Sequence, residues 1–506
     1  MTNVSLLGLA ALVVPLIGLA AVLIVPEGKL RTPVLGLIGF GLTFACGLAM
    51  LVQYKPRGGP QFEVNTSWIP SINSRFHLFV DGVSLPLLLM SMAMFVAVGI
   101  YCLTRVPKTG SARAFVGLLL LLEVGVNGTF LAQDLVLFFL FFELVLVPMY
   151  FLIGIWGGKR RQYAALKFFV YTVFGSAVML VGFLAVYFLG DKTFSIPELS
   201  AGASHAVSAT VGVQTAVFAA LLIGFAVKLP MFPLHTWMPD AHTEAPTAAS
   251  VLLASVMLKL GGYGLIRIAL PVLPEGAKVF APMLGLLGVV AIIYGALGCL
   301  AQSDLKRLIA FSSLSHMGFV VLGIATCTPA GLNAAIYAMF AHGLITGLLF
   351  FVAGGVQHRL HTRDLAKLGG LLNVAPRLSW VLGFGVVASL GIPGLAGFWG
   401  EFGAILASFQ PADGLPVHLF RAYMVIAAVG TVLAAAYLLW MFSRVAFGSV
   451  GEALKGVQIR DLTKTEAVVF VPLMIAIVVF GVAPALILDV VDPSTTMLVD
   501  TMFAEQ

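Results

Sequence analysis

The chain is organised by continuous apolar runs of about 20 residues, the length of a helix that crosses the hydrocarbon core of a bilayer. Fourteen such runs occur, near 5–25, 31–53, 80–104, 114–131, 133–154, 168–189, 211–238, 248–270, 279–300, 308–326, 331–356, 377–407, 420–443 and 467–488. Of all residues, 60% are hydrophobic and only 10% charged, against roughly 25% charged in soluble domains. Lipid offers backbone groups no hydrogen bonds, so a spanning segment is a helix or part of a closed barrel. Barrel strands alternate apolar and polar residues, and these runs are unbroken. The sequence predicts an all-α polytopic membrane protein of about 14 transmembrane helices.

Charge follows topology. Nineteen of the 28 basic residues fall in the loops after odd-numbered spans, including Lys159, Arg160, Arg161, Lys306, Arg307, Arg359 and Arg363, with Lys108 and Lys455 also counted there. Seven fall on the opposite side. The positive-inside rule then places the odd loops in the cytoplasm and both termini outside. The net charge of +6 is explained by this pattern and points to no nucleic-acid partner. The start MTNVSLLGLAALVV has no basic leader region and reads as the first span, not a removable signal. Cys46, Cys102, Cys299 and Cys327 are scattered through apolar segments with no C-x-x-C pair, so they read as small core residues. Histidines lack ligand-type partners four residues away within a span, which argues against a metal centre.

Two spans look broken. Span 7 reads FAVKLPMFPLHTWMPDAH and span 12 reads ASLGIPGLAGFWGEFGAIL. Proline removes a backbone donor and clashes with the preceding turn. A kink is the simpler account of one proline, but two interruptions five spans apart, each beside a charge, point to function. Five is odd, so spans 4–8 and 9–13 read as two inverted five-helix repeats, a pattern that marks transport sites. The predicted divisions are residues 1–112 (three N-terminal spans), 113–270 and 271–445 (the two repeats), and 446–506 (a cytoplasmic loop and the last span).

The ionisable residues inside spans are costly, and such groups pair, face wet cavities or carry ions. Glu143 lies in FFLFFELVLVP, Lys228 one turn before the break in span 7, and Lys259 in LLASVMLKLGGYG. A carboxylate caught between burial and a nearby cation can load and release a proton. An approach of Glu143 to Lys228 would make a switch, and a static buried ion pair is the alternative. Gly261 and Gly262 would let a neighbouring helix or water come close to Lys259. His316 in span 10, flanked by Ser312, Ser313 and Ser315, and His342 in span 11 suit relay work. His235 in the broken part of span 7 is expected to link Lys228 to Lys259. Glu401 follows the break in span 12 and would end the path. Glu123 interrupts span 4 and is equally buried by sequence, but has no place on the same line. Asp134 opens span 5, where a carboxylate suits the helix dipole.

FFELVLVPMYFLIGIWG, KLPMFPLHTWMPDAHTEAP, SDLKRLIAFSSLSHMGF and GIPGLAGFWGEF together resemble the antiporter-like membrane subunits of respiratory complex I, over about residues 60–450. Glu401, where the L- and N-type subunits usually carry lysine, makes the chain similar to the M type. No long lateral helix of the L type follows span 14. The resemblance implies fourteen helices with two inverted repeats. It implies that Glu143 and Lys228 form a modulating pair, that Lys259 is the central relay, and that Glu401 is the terminal proton carrier, with His235, His316 and His342 on the polar axis. It also implies a proton-translocating subunit of a bacterial plasma-membrane NADH:quinone oxidoreductase, flanked by L- and N-type subunits. NADH, FMN, iron–sulfur clusters and quinone are then expected in partner subunits, and no cofactor in this chain. A subunit of a multisubunit cation/proton antiporter, or of a membrane-bound hydrogenase, is the rival expectation.

Overall fold

A computed structural model describes residues 5–107, 109–201, 209–454 and 459–503. Lys108 and Lys455, counted above among the basic loops, lie outside the described residues. Among the described residues, thirteen helices are long and apolar enough to cross a membrane. In chain order the helices are α1 (Ser5–Ile24), α2 (Arg31–Gln53), α3 (Leu85–Arg105), α4 (Ala112–Leu131), α5 (Leu135–Trp156), α6 (Arg161–Leu189) and α7 (Val211–Lys228). They continue with the short α8 (Trp237–Glu244), then α9 (Thr247–Val272), α10 (Pro274–Leu300), α11 (Leu305–Ala325) and α12 (Pro329–Leu360). The last are the half-helices α13 (Pro376–Ser389) and α14 (Ala396–Ala407), then α15 (Val417–Ala446), α16 (Lys464–Val482) and α17 (Ala485–Phe503).

Both expected breaks are present. Span 7 is α7 and α8 separated by residues 229–236, and span 12 is α13 and α14 separated by residues 390–395. In the second break Gly391 and Gly394 adopt φ of +69° and +94°, a region open to glycine at little cost. The divided span 12 is why thirteen helices, not fourteen, are continuous. Two further irregularities were not legible in the sequence. Residues 253–257 and 265–269 of α9 form π-turns on either side of Lys259, an irregularity common at functional sites. Helix α5 is interrupted at Val145, two residues after Glu143, where Pro148 denies the Leu144 carbonyl its usual donor. Asp134 caps α5 as expected, accepting from the Val136 and Leu137 amides.

Two elements add to the helical spans. Residues Gln61–Ile69 (β1) and Ser74–Val80 (β2) form an antiparallel hairpin packed on α1, α4 and α5. The C-terminal α17 is a separate amphiphilic helix rather than an extension of the last span, and it lies on the same face, where Ser494 accepts from the Gly82 amide. That face is termed the hairpin face. The opposite, basic face carries Lys159–Arg161 and the pairs Arg359–Glu466, Lys167–Asp240 and Arg363–Asp304.

Helices α9, α11 and α12 are buried almost end to end. The peripheral helices point Ile17, Leu42, Val432 and Ile475 outward, as a lipid-facing surface does. The polar residues therefore sit on the central helices, not on the rim.

Candidate functional site

Lys259 projects from the middle of α9 with no exposed surface. Its Nζ donates to the Ala254 carbonyl at 2.5 Å and lies 2.7 Å from His342 Nδ1 on α12. The close approach expected at its glycines is real: a side chain at Gly261 would meet the Leu229 amide and Phe225 carbonyl at 2.6 Å. The end of α7 thus abuts α9, which seats the broken helix against the lysine.

His316 on α11 stands with its ring 5.7 Å from that of His342. Its Nδ1 is 2.6 Å from Glu401 Oε1, and its Nε2 is 2.9 Å from Ser389 Oγ and 3.4 Å from Tyr437 Oη. Helices α13 and α14 thus each supply one partner from the two sides of the span 12 break. His316, His342, Ser389 and Glu401 line a cavity of about 20 Å³, room for a single water. His342 Nε2 has no protein partner. Of the flanking serines, Ser312 and Ser313 donate to the Ile309 carbonyl and Ser315 to the Ile292 carbonyl, and Ser312 and Ser315 also interact with Tyr437.

Glu143 and Lys228 approach without closing. Lys228 Nζ donates to the Phe142 carbonyl at 3.0 Å and lies 4.2 Å from the centre of the Phe142 ring. Glu143 accepts instead from Ser176 Oγ at 2.5 Å. The carboxylate still acts electrostatically on the ammonium. Glu143 is half-buried rather than enclosed. The interruption of α5 at Val145 is what offers Lys228 a carbonyl in its place.

His235 is misplaced by sequence reasoning. It stacks on Phe232 and faces Tyr294 and Phe311, in an aromatic pocket that bridges neither lysine. The turn after Lys228 redirects the chain, so residue spacing along an ideal helix misleads there. Glu123 is fully buried with both oxygens unpartnered, and it is not brought to the axis.

Two groups escaped the sequence. His242 of α8 is fully buried on the Phe350 ring, both ring nitrogens lack partners, and the charges of Lys259 and Lys306 act on it. Its position seven residues after His235, two helical turns, was the available signal. Lys306, read as a loop base, is buried, and its Nζ donates to the Ala245 carbonyl at 3.1 Å.

A family profile described as NADH:quinone oxidoreductase/Mrp antiporter, transmembrane, matches residues 132–427, a stretch that holds every group of this axis. The chain belongs to that family. NADH-quinone oxidoreductase subunit M of Rhodobacter capsulatus is 42% identical over 92% of this chain and 90% of its own length. The F(420)H(2) dehydrogenase subunit M of Methanosarcina mazei is 40% identical over 85% of each. Among solved structures, a chain of respiratory complex I from Thermus thermophilus with bound NADH superposes with a TM-score of 0.85 at 29% identity, covering 97% of this chain and 99% of that one. The family fold extends to a chain of the Mrp complex from Dietzia sp., with a TM-score of 0.86 at 20% identity over 99% and 98% of the two chains.

Proposed function

We propose that this chain is the M-type proton-translocating subunit of an NADH:quinone oxidoreductase, acting as a translocase with no redox site of its own. The observation that carries the reading is the row of titratable groups Lys259, His342, His316 and Glu401 through the buried centre. Two of its three steps are direct contacts of 2.7 and 2.6 Å, and the third crosses a water-sized cavity. Each group can both bind and release a proton, which a cation-binding cage would not need.

Lys228 stands beside the row as its modulator. With Glu143 held by Ser176, Lys228 rests on a carbonyl and a ring. With Glu143 swung across, it would gain a full counter-charge. His242, between Lys306 and Lys259, is placed for proton intake from the basic face. The positive-inside rule supports that face as cytoplasmic, with the hairpin face outside. Both chain termini would then be external, in a bacterial plasma membrane. The matched breaks support inverted repeats over spans 4–8 and 9–13, within the divisions 1–112, 113–270, 271–445 and 446–506. Moving one charge against 100 mV takes about 2.3 kcal/mol, which nothing in this chain releases. L- and N-type neighbours would transmit it from subunits holding NADH, FMN, iron–sulfur clusters and quinone.

The test is Lys259→Ala in the assembled complex, reconstituted in vesicles and driven by NADH with no sodium gradient. Proton uptake should collapse. Native uptake in a complex that assembles would remove the relay.

A further inference from the structure

The hairpin face contains a cavity of about 560 Å³ whose lining includes Arg57, Phe79, Asp81, Gln133, Arg267 and Asp492. At its inner end Arg267 Nη2 donates to both oxygens of Asp81 at 2.5 Å. Asp81 is fixed further by the Val83 and Ser84 amides at 3.1 Å, at the start of α3. The Arg267 guanidinium also lies near the Phe79 and Tyr263 rings, at 5.6 and 5.7 Å. Arg267 Nε and Gln133 Oε1 are buried without partners.

Arg267 shares α9 with Lys259. Lys259 and Tyr263 lie one α-helical turn apart, and the Arg267 guanidinium, in the π-turn that follows, is 5.7 Å from the Tyr263 ring. Arg267 lines the cavity, and Tyr263 follows it along α9 toward the central lysine. The Tyr263 hydroxyl donates to the Phe130 carbonyl at 2.9 Å and also interacts with the Arg267 and Gln133 side chains.

A proton moving inward from the cavity would have to rest on Asp81. Protonating Asp81 would leave a buried guanidinium, which does not give up its proton, without its counter-charge, and that is strongly unfavourable. A proton moving outward from Lys259 would meet the same fixed positive charge, the kind of barrier that excludes protons from selective pores. We propose that the Arg267–Asp81 pair is an ion-pair seal that closes the hairpin-face cavity off from Lys259, so that charge on Lys259 leaves only through His342. This inference rests on the relay reading above, because a seal matters only if Lys259 carries protons.

The experiment is passive proton conductance of the reconstituted complex under an imposed pH gradient, without NADH or quinone. Arg267→Met should raise the conductance several-fold while NADH:quinone turnover persists and protons pumped per NADH fall. Adding Lys259→Ala should suppress the leak. An assembled Arg267→Met complex as tight as the native one overturns the seal, and so does a leak that survives Lys259→Ala. Reduced pumping with no leak also overturns it, and marks the cavity as an exit path. If Arg267→Met fails to assemble, Arg267→Gln keeps a hydrogen bond to Asp81, removes the fixed charge and takes the same readout. Lys259→Ala alone, read through NADH-driven pumping, tests the relay separately.

Discussion

Lys259 Nζ stands 2.7 Å from His342 Nδ1, between two helices buried over almost their whole length. With Lys259 protonated, its ammonium only donates, so Nδ1 is then the acceptor and the neutral ring's proton sits on Nε2. A proton passed from Lys259 to Nδ1 must then be released from Nε2, the nitrogen with no protein partner. His342 thus has an input atom and an output atom.

His342→Ala removes both. NADH-driven proton uptake in reconstituted vesicles should fall by about tenfold or more, toward the scale of losing a positioned acid–base group. The complex should still assemble, because alanine fits a helix interior well. Uptake within twofold of native, by fluorescence quenching of a pH dye, would remove His342 from the path.

Glu401→Gln preserves a hydrogen-bonding oxygen beside His316, where the native contact is 2.6 Å, but it cannot release a proton. Pumping should be lost while thermal stability of the complex stays within a few degrees. Glu401→Asp should recover part of the rate. Equal loss in both variants would indicate a packing role, not proton transfer.

Ser176 competes with Lys228 for Glu143. A hydrogen bond to a charged group contributes about 1.5–3 kcal/mol, so Ser176→Ala should shift Glu143 toward the lysine. A structure of the variant complex should show a Glu143–Lys228 nitrogen–oxygen distance under about 4 Å, the ion-pair range. Pumping should slow through over-stabilisation of the closed pair. An unmoved Glu143 would rule out the switch.

Gly261 and Gly212 give a packing contrast. A Cβ at Gly261 would lie 2.6 Å from the Leu229 amide, whereas one at Gly212 meets nothing within 4 Å. Gly261→Ala should cost about 1–3 kcal/mol of stability, read as a lowered melting temperature of the complex. Gly212→Ala should be neutral or stabilising by up to about 1 kcal/mol.

The hairpin should respond to pH through His77. Burial holds its imidazole below the ordinary value and outweighs the opposing effect of Glu63, whose oxygen is 2.9 Å away. A histidine so depressed takes up more protons unfolded than folded, so hairpin stability falls as pH drops below about 6.5, the unperturbed value. Hydrogen exchange of residues 61–80, corrected for intrinsic rates, should be faster at pH 5.5 than at pH 7.5. The difference should vanish in His77→Gln.

The sequence by itself determined the class of fold, because the need to satisfy every backbone group in lipid leaves continuous apolar runs only the helix. It also located the breaks in spans 7 and 12, since proline and glycine act locally, and picked out Lys259, His316, His342 and Glu401, since a charged or titratable group in an apolar run stands out without any partner. Which of these groups meet was decided by the tertiary structure. Glu143 turns to Ser176, His235 enters an aromatic pocket, Glu123 stays apart, and His242 and Lys306 come in beside Lys259. Those outcomes depend on how α7, α8 and α9 pack after a non-helical turn and two π-turns, and on an interruption in α5. Each irregularity rotates the residues beyond it, and a sequence read at 3.6 residues per turn carries no record of that rotation.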